Sequence, residues 1–151
     1  MVVYETPCVR IDFLDHFEIL IIKWKIKPDD ATFFDAYLTA LQFLRNNCPV
    51  KLYCTDLTLI GPLTRDQESW LNQVCYKKSY NVLQDDFFVA VVFSEDHFKA
   101  VVFNYALPAV TQAHEFVHFN YFTCQNEALH WLTSIKEGQN TALMAPVPGL
   151  L

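Results

Sequence analysis

The spacing of apolar and polar positions changes several times along the chain, and each change marks an element. Between residues 3 and 13, Val9, Ile11 and Phe13 alternate with Arg10 and Asp12, the two-residue period of a half-buried strand. A polar turn at Asp15-His16 leads into Phe17–Ile26, where Lys23, Lys25 and Lys27 alternate with Trp24 and Ile26. Two such runs joined by a short turn predict an antiparallel hairpin, with the lysine ladder on a solvated face. Pro28-Asp29-Asp30 then opens a helix, since proline is tolerated in a first turn and acids suit the positive end of the helix dipole. Phe33, Phe34, Tyr37, Leu38, Leu41 and Leu44 recur at three-to-four spacing, as on an amphipathic helix lying on a sheet. The helix is predicted to stop at Asn46-Asn47-Cys48-Pro49, because proline disfavours helical geometry in the residue before it.

The next stretch, Lys51 to Gln73, reads as a strand ending at Asp56, a loop with Thr58, Gly61, Pro62 and Thr64, and a helix. Thr64-Arg65-Asp66-Gln67 fits a capping box, in which the threonine hydroxyl accepts from a backbone N–H three residues on and the glutamine reaches back. Asp66 and Glu68 occupy the first turn, and Trp70, Leu71 and Val74 are predicted on the buried side. Phe87–Phe93 is continuously apolar and bounded by acids, the pattern of a parallel strand covered on both faces. Ser94 is placed to cap a third helix carrying Phe98, Val101, Val102 and Tyr105, which ends before Pro108. Glu115–Phe122 alternates in a half-polar way that suits a strand near a sheet edge. A last helix over about Gln125–Lys136 buries Ala128, Leu129, Leu132 and Ile135, with Gly138 placed to end it. The predicted order is β-β-α-β-α-β-α-β-α: an α/β fold with a mixed sheet and helices packed on it. It forms one domain over residues 1–138, followed by an apolar tail over 139–151.

Composition narrows the function classes. Hydrophobic residues make up 52% of the 151 positions, with 13 Phe, 7 Tyr and 3 Trp, so the core should be rich in aromatic rings. With only 3 Gly, a glycine-rich phosphate loop is not expected. Charged residues stand at 19%, below the roughly 25% usual for soluble domains. That shortfall implies apolar surface covered by a partner or a second copy, and a homodimer is the expectation. The tail, with Leu143, Met144, Val147, Leu150 and Leu151, is expected to pack on such a surface, of a second copy rather than of its own domain. The net charge of −6 argues against nucleic acid, whose binding needs a basic stripe, and against an anionic membrane surface. The longest apolar run before the tail is seven residues, Phe87 to Phe93, far short of the about 20 of a membrane span. The first residues lack the basic region and long apolar stretch of a signal peptide. Cys8, Cys48, Cys54, Cys75 and Cys124 are odd in number and scattered, as reduced thiols in a cytoplasmic protein would be.

Trp24 in the second strand, Asp56 ending the third, Asp66-Gln67-Glu68-Ser69-Trp70 and Ala128-Leu129-His130-Trp131-Leu132 carry a family resemblance. With the order of elements, they resemble the SpoIIAA-like fold of STAS domains, and more closely the small bacterial proteins grouped as STAS-like. The resemblance covers about residues 3–136 and rests mostly on packing positions. It implies a non-enzymatic regulatory or protein-interaction module, working through the surface at the C-terminal end of the central strand with another regulatory protein as partner. Phosphorylated STAS domains carry an Asp-Ser pair at the start of the helix after the third strand; here that place holds Thr64, between Leu63 and Arg65. STAS-like sheets are also compared with lipid-binding SEC14 domains, which implies an alternative, a binder or sensor of a small apolar ligand.

Asp56, Thr58, Thr64 and Asp66 are predicted to gather at the carboxyl end of the sheet, joined by Ser94, Asp96 and Asn126 from neighbouring loops. As function, they form a polar rim for a ligand or partner. As structure, Thr64 and Ser94 are caps, Asp66 and Asp96 face helix dipoles, and Asp56 satisfies loop amides. An enzymatic reading would need Asp56 as a general base. His114 and His118 have a spacing that suits a metal on a helix, but on a strand four residues span about 13 Å. Zinc bonds are about 2 Å long, so neither metal nor cofactor is expected. There is no G-x-S-x-G elbow and no Cys-x-x-Cys pair, and Cys54 reads as a core residue.

Overall fold

The computed structural model describes residues 1–103 and 114–140, with backbone alone for 101–103, 139 and 140. The expected helix end near Pro108, and the tail with its role in self-association, fall largely or wholly outside these residues. Six strands, β1 (Val2–Glu5), β2 (Val9–Leu14), β3 (Ile19–Trp24), β4 (Leu52–Asp56), β5 (Phe87–Val92) and β6 (Val117–Phe122), form one sheet in sequence order. β1, β2 and β3 run antiparallel, while β3 through β6 run parallel. The helices are α1 (Asp30–Asn46), α2 (Arg65–Trp70), α3 (Tyr76–Leu83), α4 (Glu95–Phe103) and α5 (Gln125–Asn140), with a π-helical turn at Leu71–Cys75 joining α2 to α3. The mixed sheet with packed helices matches the α/β class read from the sequence.

Three local expectations are corrected. The single strand expected over 3–13 is two strands, so the chain begins β-β-β. Pro7 has no N–H to offer a ladder, and the Thr6 hydroxyl accepts from the backbone N–H of Cys8 and Val9 at 3.1 and 3.2 Å, closing a turn instead. The lysine ladder is shorter than expected, because β3 ends at Trp24 and its residues Ile19 to Ile22 are buried on both faces. Lys23 alone of the three lies in the strand, and Lys25 pairs with Glu5 at 2.9 Å. Finally, α5 continues through Gly138 to Asn140.

The order of the strands decides which face each helix covers. The sheet advances in one direction from β3, so right-handed crossovers place successive connecting helices on the same side. On that side Ile11, Ile22, Trp24, Tyr53, Phe87 and Val89 meet Phe33, Tyr37, Leu41 and Leu44 of α1, Leu71 of the π turn and Tyr76 of α3. α5 follows the last strand, is not a crossover, and covers the other face. There Ala128 and Leu132, both fully buried, meet Ile19, Ile21, Leu52, Cys54, Ala90 and Val92. The unbroken apolar run of β5 is thereby explained, since both its faces are covered.

Aromatic rings brace α1 against its neighbours. Trp24 stacks on Phe33 with ring centres 5.5 Å apart, and Phe34 stacks on Trp70 at 4.5 Å. Beside them Gln67, 1% exposed, donates from Nε2 to the Pro28 carbonyl and to Asp30 Oδ1, each at 3.3 Å. This ties the start of α2 to the start of α1.

Candidate functional site

Asp56 is the last residue of β4 and pairs with Lys23 on one side and Val92 on the other. It is 4% exposed, and its Oδ1 accepts from the Thr58 backbone N–H at 2.9 Å and the Thr58 hydroxyl at 2.5 Å. This is a local turn in which the carboxylate replaces the next ladder bond. The loop then folds on itself, with Ile60 and Gly61 N–H donating to the Leu57 carbonyl at 3.2 and 3.1 Å. Gly61 has φ +73°, a left-handed conformation that a side chain would strain.

The capping box is present as read. The Thr64 hydroxyl accepts from Gln67 N at 3.0 Å, and Gln67 Oε1 accepts from Thr64 N at 3.1 Å. Ser94 Oγ accepts from His97 N at 3.1 Å and so caps α4. Asp66 lies exposed in the first turn of α2, Asp96 in that of α4, and Asn126 near the start of α5. All of these positions share the C-terminal edge of the parallel strands. Asp56 and Thr58 are hydrogen-bonded; among the described residues no hydrogen bond links Asp56 to Thr64, Asp66, Ser94 or Asp96.

The thiols and histidines are engaged elsewhere. Burial, then the nearby Asp56 charge, pushes the Cys54 thiol up to about 12, and burial does the same for Cys75. Neither has the thiolate character of a nucleophile. His114 Nε2 bonds the Asn72 carbonyl at 2.8 Å, whereas His118 Nε2 pairs with Asp86 at 2.8 Å. Among the described residues no group of three or more His, Cys, Asp or Glu side chains is placed to hold a metal ion. No described helix is long and apolar enough to cross a membrane.

Sequence reasoning missed a groove on the same edge. It has a volume of about 430 Å³ and lies where the start of α4, the end of β6 and the start of α5 converge. Phe98, Tyr121 and Phe122 give it an apolar lining, with Glu95, Lys99 and Glu127 around them. Phe98 stands at helical spacing with the other apolar residues of α4. It touches Phe93, with ring centres 5.8 Å apart, but stays 38% exposed. Two more exposed apolar side chains follow strand ends at this edge, Ile26 after β3 at 55% and Leu59 after β4 at 62%. By contrast two voids in the helix–sheet interior measure only about 30 Å³ each, against the about 300 Å³ at which ligand pockets begin.

No protein-family model, curated protein or solved structure matches the chain.

Proposed function

We propose that this domain is a non-enzymatic regulatory module of the STAS-like type that binds a partner protein through the C-terminal edge of its parallel strands. The observation that carries the reading is the exposure of Ile26, Leu59 and Phe98 behind three adjacent strands, with Phe98 also lining the groove between α4 and α5. Exposed apolar side chains gathered with a polar rim are the ordinary mark of an interaction surface. The rim here is acidic. Asp30 opens α1, Asp66 and Glu68 open α2, Glu95 and Asp96 open α4, and Glu127 lies in the first turn of α5. The partner this surface fits sets lysine or arginine beside an apolar side chain that enters the groove. Asp56, Thr58, Thr64 and Ser94 support the surface by holding its loops and helix starts in place.

A selection of displayed peptides that pair basic with aromatic residues, followed by calorimetry on the best binder, tests this. Phe98→Ser or Leu59→Ser should weaken binding about tenfold or more, roughly 1.4 kcal/mol. Asp66→Ala should weaken it less, and only at low salt, as expected for a rim charge. Thr64→Ala is a poor probe, because it breaks the cap of α2. Binding indifferent to both apolar substitutions would sink the proposal.

A second reading has its own support, since about 430 Å³ falls within the size of small-molecule pockets. In it the groove holds a small apolar ligand against Phe98, Tyr121 and Phe122. Native mass spectrometry of freshly purified protein separates the two: a bound mass that disappears in Phe98→Ser favours the ligand, and a bare chain mass removes it.

A further inference from the structure

The two interior voids lie between the sheet and the layer formed by α1, the π turn and α3, and both are lined by Tyr37, Thr55 and Tyr76. Each measures about 30 Å³. A space of about 10–15 Å³ on this measure already admits one water molecule. Size alone does not wet a cavity, since voids lined only by apolar groups stay dry. Tyr37 and Thr55 bring polar groups to both voids. The Tyr37 hydroxyl is buried in a residue 5% exposed and has no hydrogen-bond partner. Trp24 Nε1, also without a partner among the described residues, belongs to a residue that lines neither void. The two rings lie 6.2 Å apart, and Thr55 is the other polar neighbour of the Tyr37 hydroxyl. Two other hydroxyls of the first void are already committed, Tyr53 to the Val50 carbonyl and Ser79 to the Cys75 carbonyl.

The helix above supplies a second, independent observation. Between Leu71 and Cys75 it opens into a π turn, with Tyr76 N–H reaching back to the Leu71 carbonyl. Such turns are rare and widen the helix locally. Leu71 lines one void, Cys75 the other and Tyr76 both, so the widened turn is the roof of the polar space. Asn72 in the same turn keeps its Oδ1 buried without a partner while its carbonyl accepts from or faces His114 Nε2 at 2.8 Å.

We infer that the two voids are water sites, in which ordered water bonds the Tyr37 and Thr55 hydroxyls within the helix–sheet joint. A water oxygen can accept from the tyrosine hydroxyl and donate onward to Thr55 Oγ1. That gives the unmatched Tyr37 donor an acceptor. The voids are too small for a larger ligand, and a dry void would leave a buried donor unpaired.

Oxygen-17 magnetic relaxation dispersion on the full chain counts long-lived internal water and tests this. Thr55→Val removes a hydroxyl at nearly constant volume, and Tyr37→Phe removes the central anchor. Each folded variant should lose dispersion amplitude equal to at least one water relative to the parent chain. Unchanged amplitude in Thr55→Val overturns the inference, whether or not Tyr37→Phe folds. A crystal structure of the parent chain gives the second measurement. A density peak within hydrogen-bond distance of the Tyr37 hydroxyl supports water, and empty voids or a larger bound molecule overturn it.

Discussion

Gln67→Ala is the most informative single substitution for the joint between α1 and α2. The native side chain is 1% exposed and serves two structures at once. Its Oε1 completes the capping box at Thr64 N, and its Nε2 holds the Pro28 carbonyl and Asp30 Oδ1. Losing the box costs about 1 kcal/mol. Leaving the buried Pro28 carbonyl without its donor costs about 1–3 kcal/mol more. The expected loss is therefore about 2–4 kcal/mol, against about 1 kcal/mol for Thr64→Ala, which removes the cap alone. The two residues share the box, so the double variant should fall short of additivity by roughly 0.5 kcal/mol or more. Urea unfolding followed by tryptophan fluorescence reads this directly, because Trp24 and Trp70 lie in the aromatic brace beside Gln67. At this chain length each kcal/mol corresponds to roughly 2–4 °C in Tm. A Gln67→Ala loss no larger than that of Thr64→Ala would refute the reasoning, since the bond to Pro28 would then contribute nothing.

Three further outcomes are expected. Burial holds the His97 ring below its usual 6.5, and its Nδ1 has no partner, so the unfolded chain takes up a proton at a pH where the folded one does not. His97 therefore contributes stability in full above 6.5 and loses it as pH falls through the folded value; urea midpoints compared at about pH 7 and about pH 5 should fall less in His97→Gln than in the parent chain. An aromatic disulfide reagent should label exposed Cys124 quickly, while Cys54 and Cys75, buried with thiols near 12, should react only when the chain unfolds. Leu132→Ala should cost about 2–5 kcal/mol, because Leu132 is fully buried on the face that α5 covers, and a change under about 1 kcal/mol in calorimetry would show that α5 is not held there.

What could be read from the sequence was what neighbouring residues decide among themselves. The capping box at Thr64 and Gln67 spans three residues, and its bonds need nothing from the rest of the chain. The apolar run of β5 states its burial on both faces, and the half-polar run of β6 states its place at an edge. The break at Thr6-Pro7 was also local, and proline was its signal, though the alternation around it suggests a continuous strand. Other features depend on where distant segments land. The π turn has no composition of its own, and it forms where Cys75 and Tyr76 must meet β4 and β5 across the core. Phe98 has the spacing of a core residue, yet its exposure is decided by the end of β6 and the start of α5, more than twenty positions away, which meet α4 along a groove and leave the ring partly uncovered. Asp56 could be placed at the strand end from the sequence. That one oxygen of its carboxylate bonds Thr58, and that an apolar groove opens on the same edge, was decided only when the strands and helices packed.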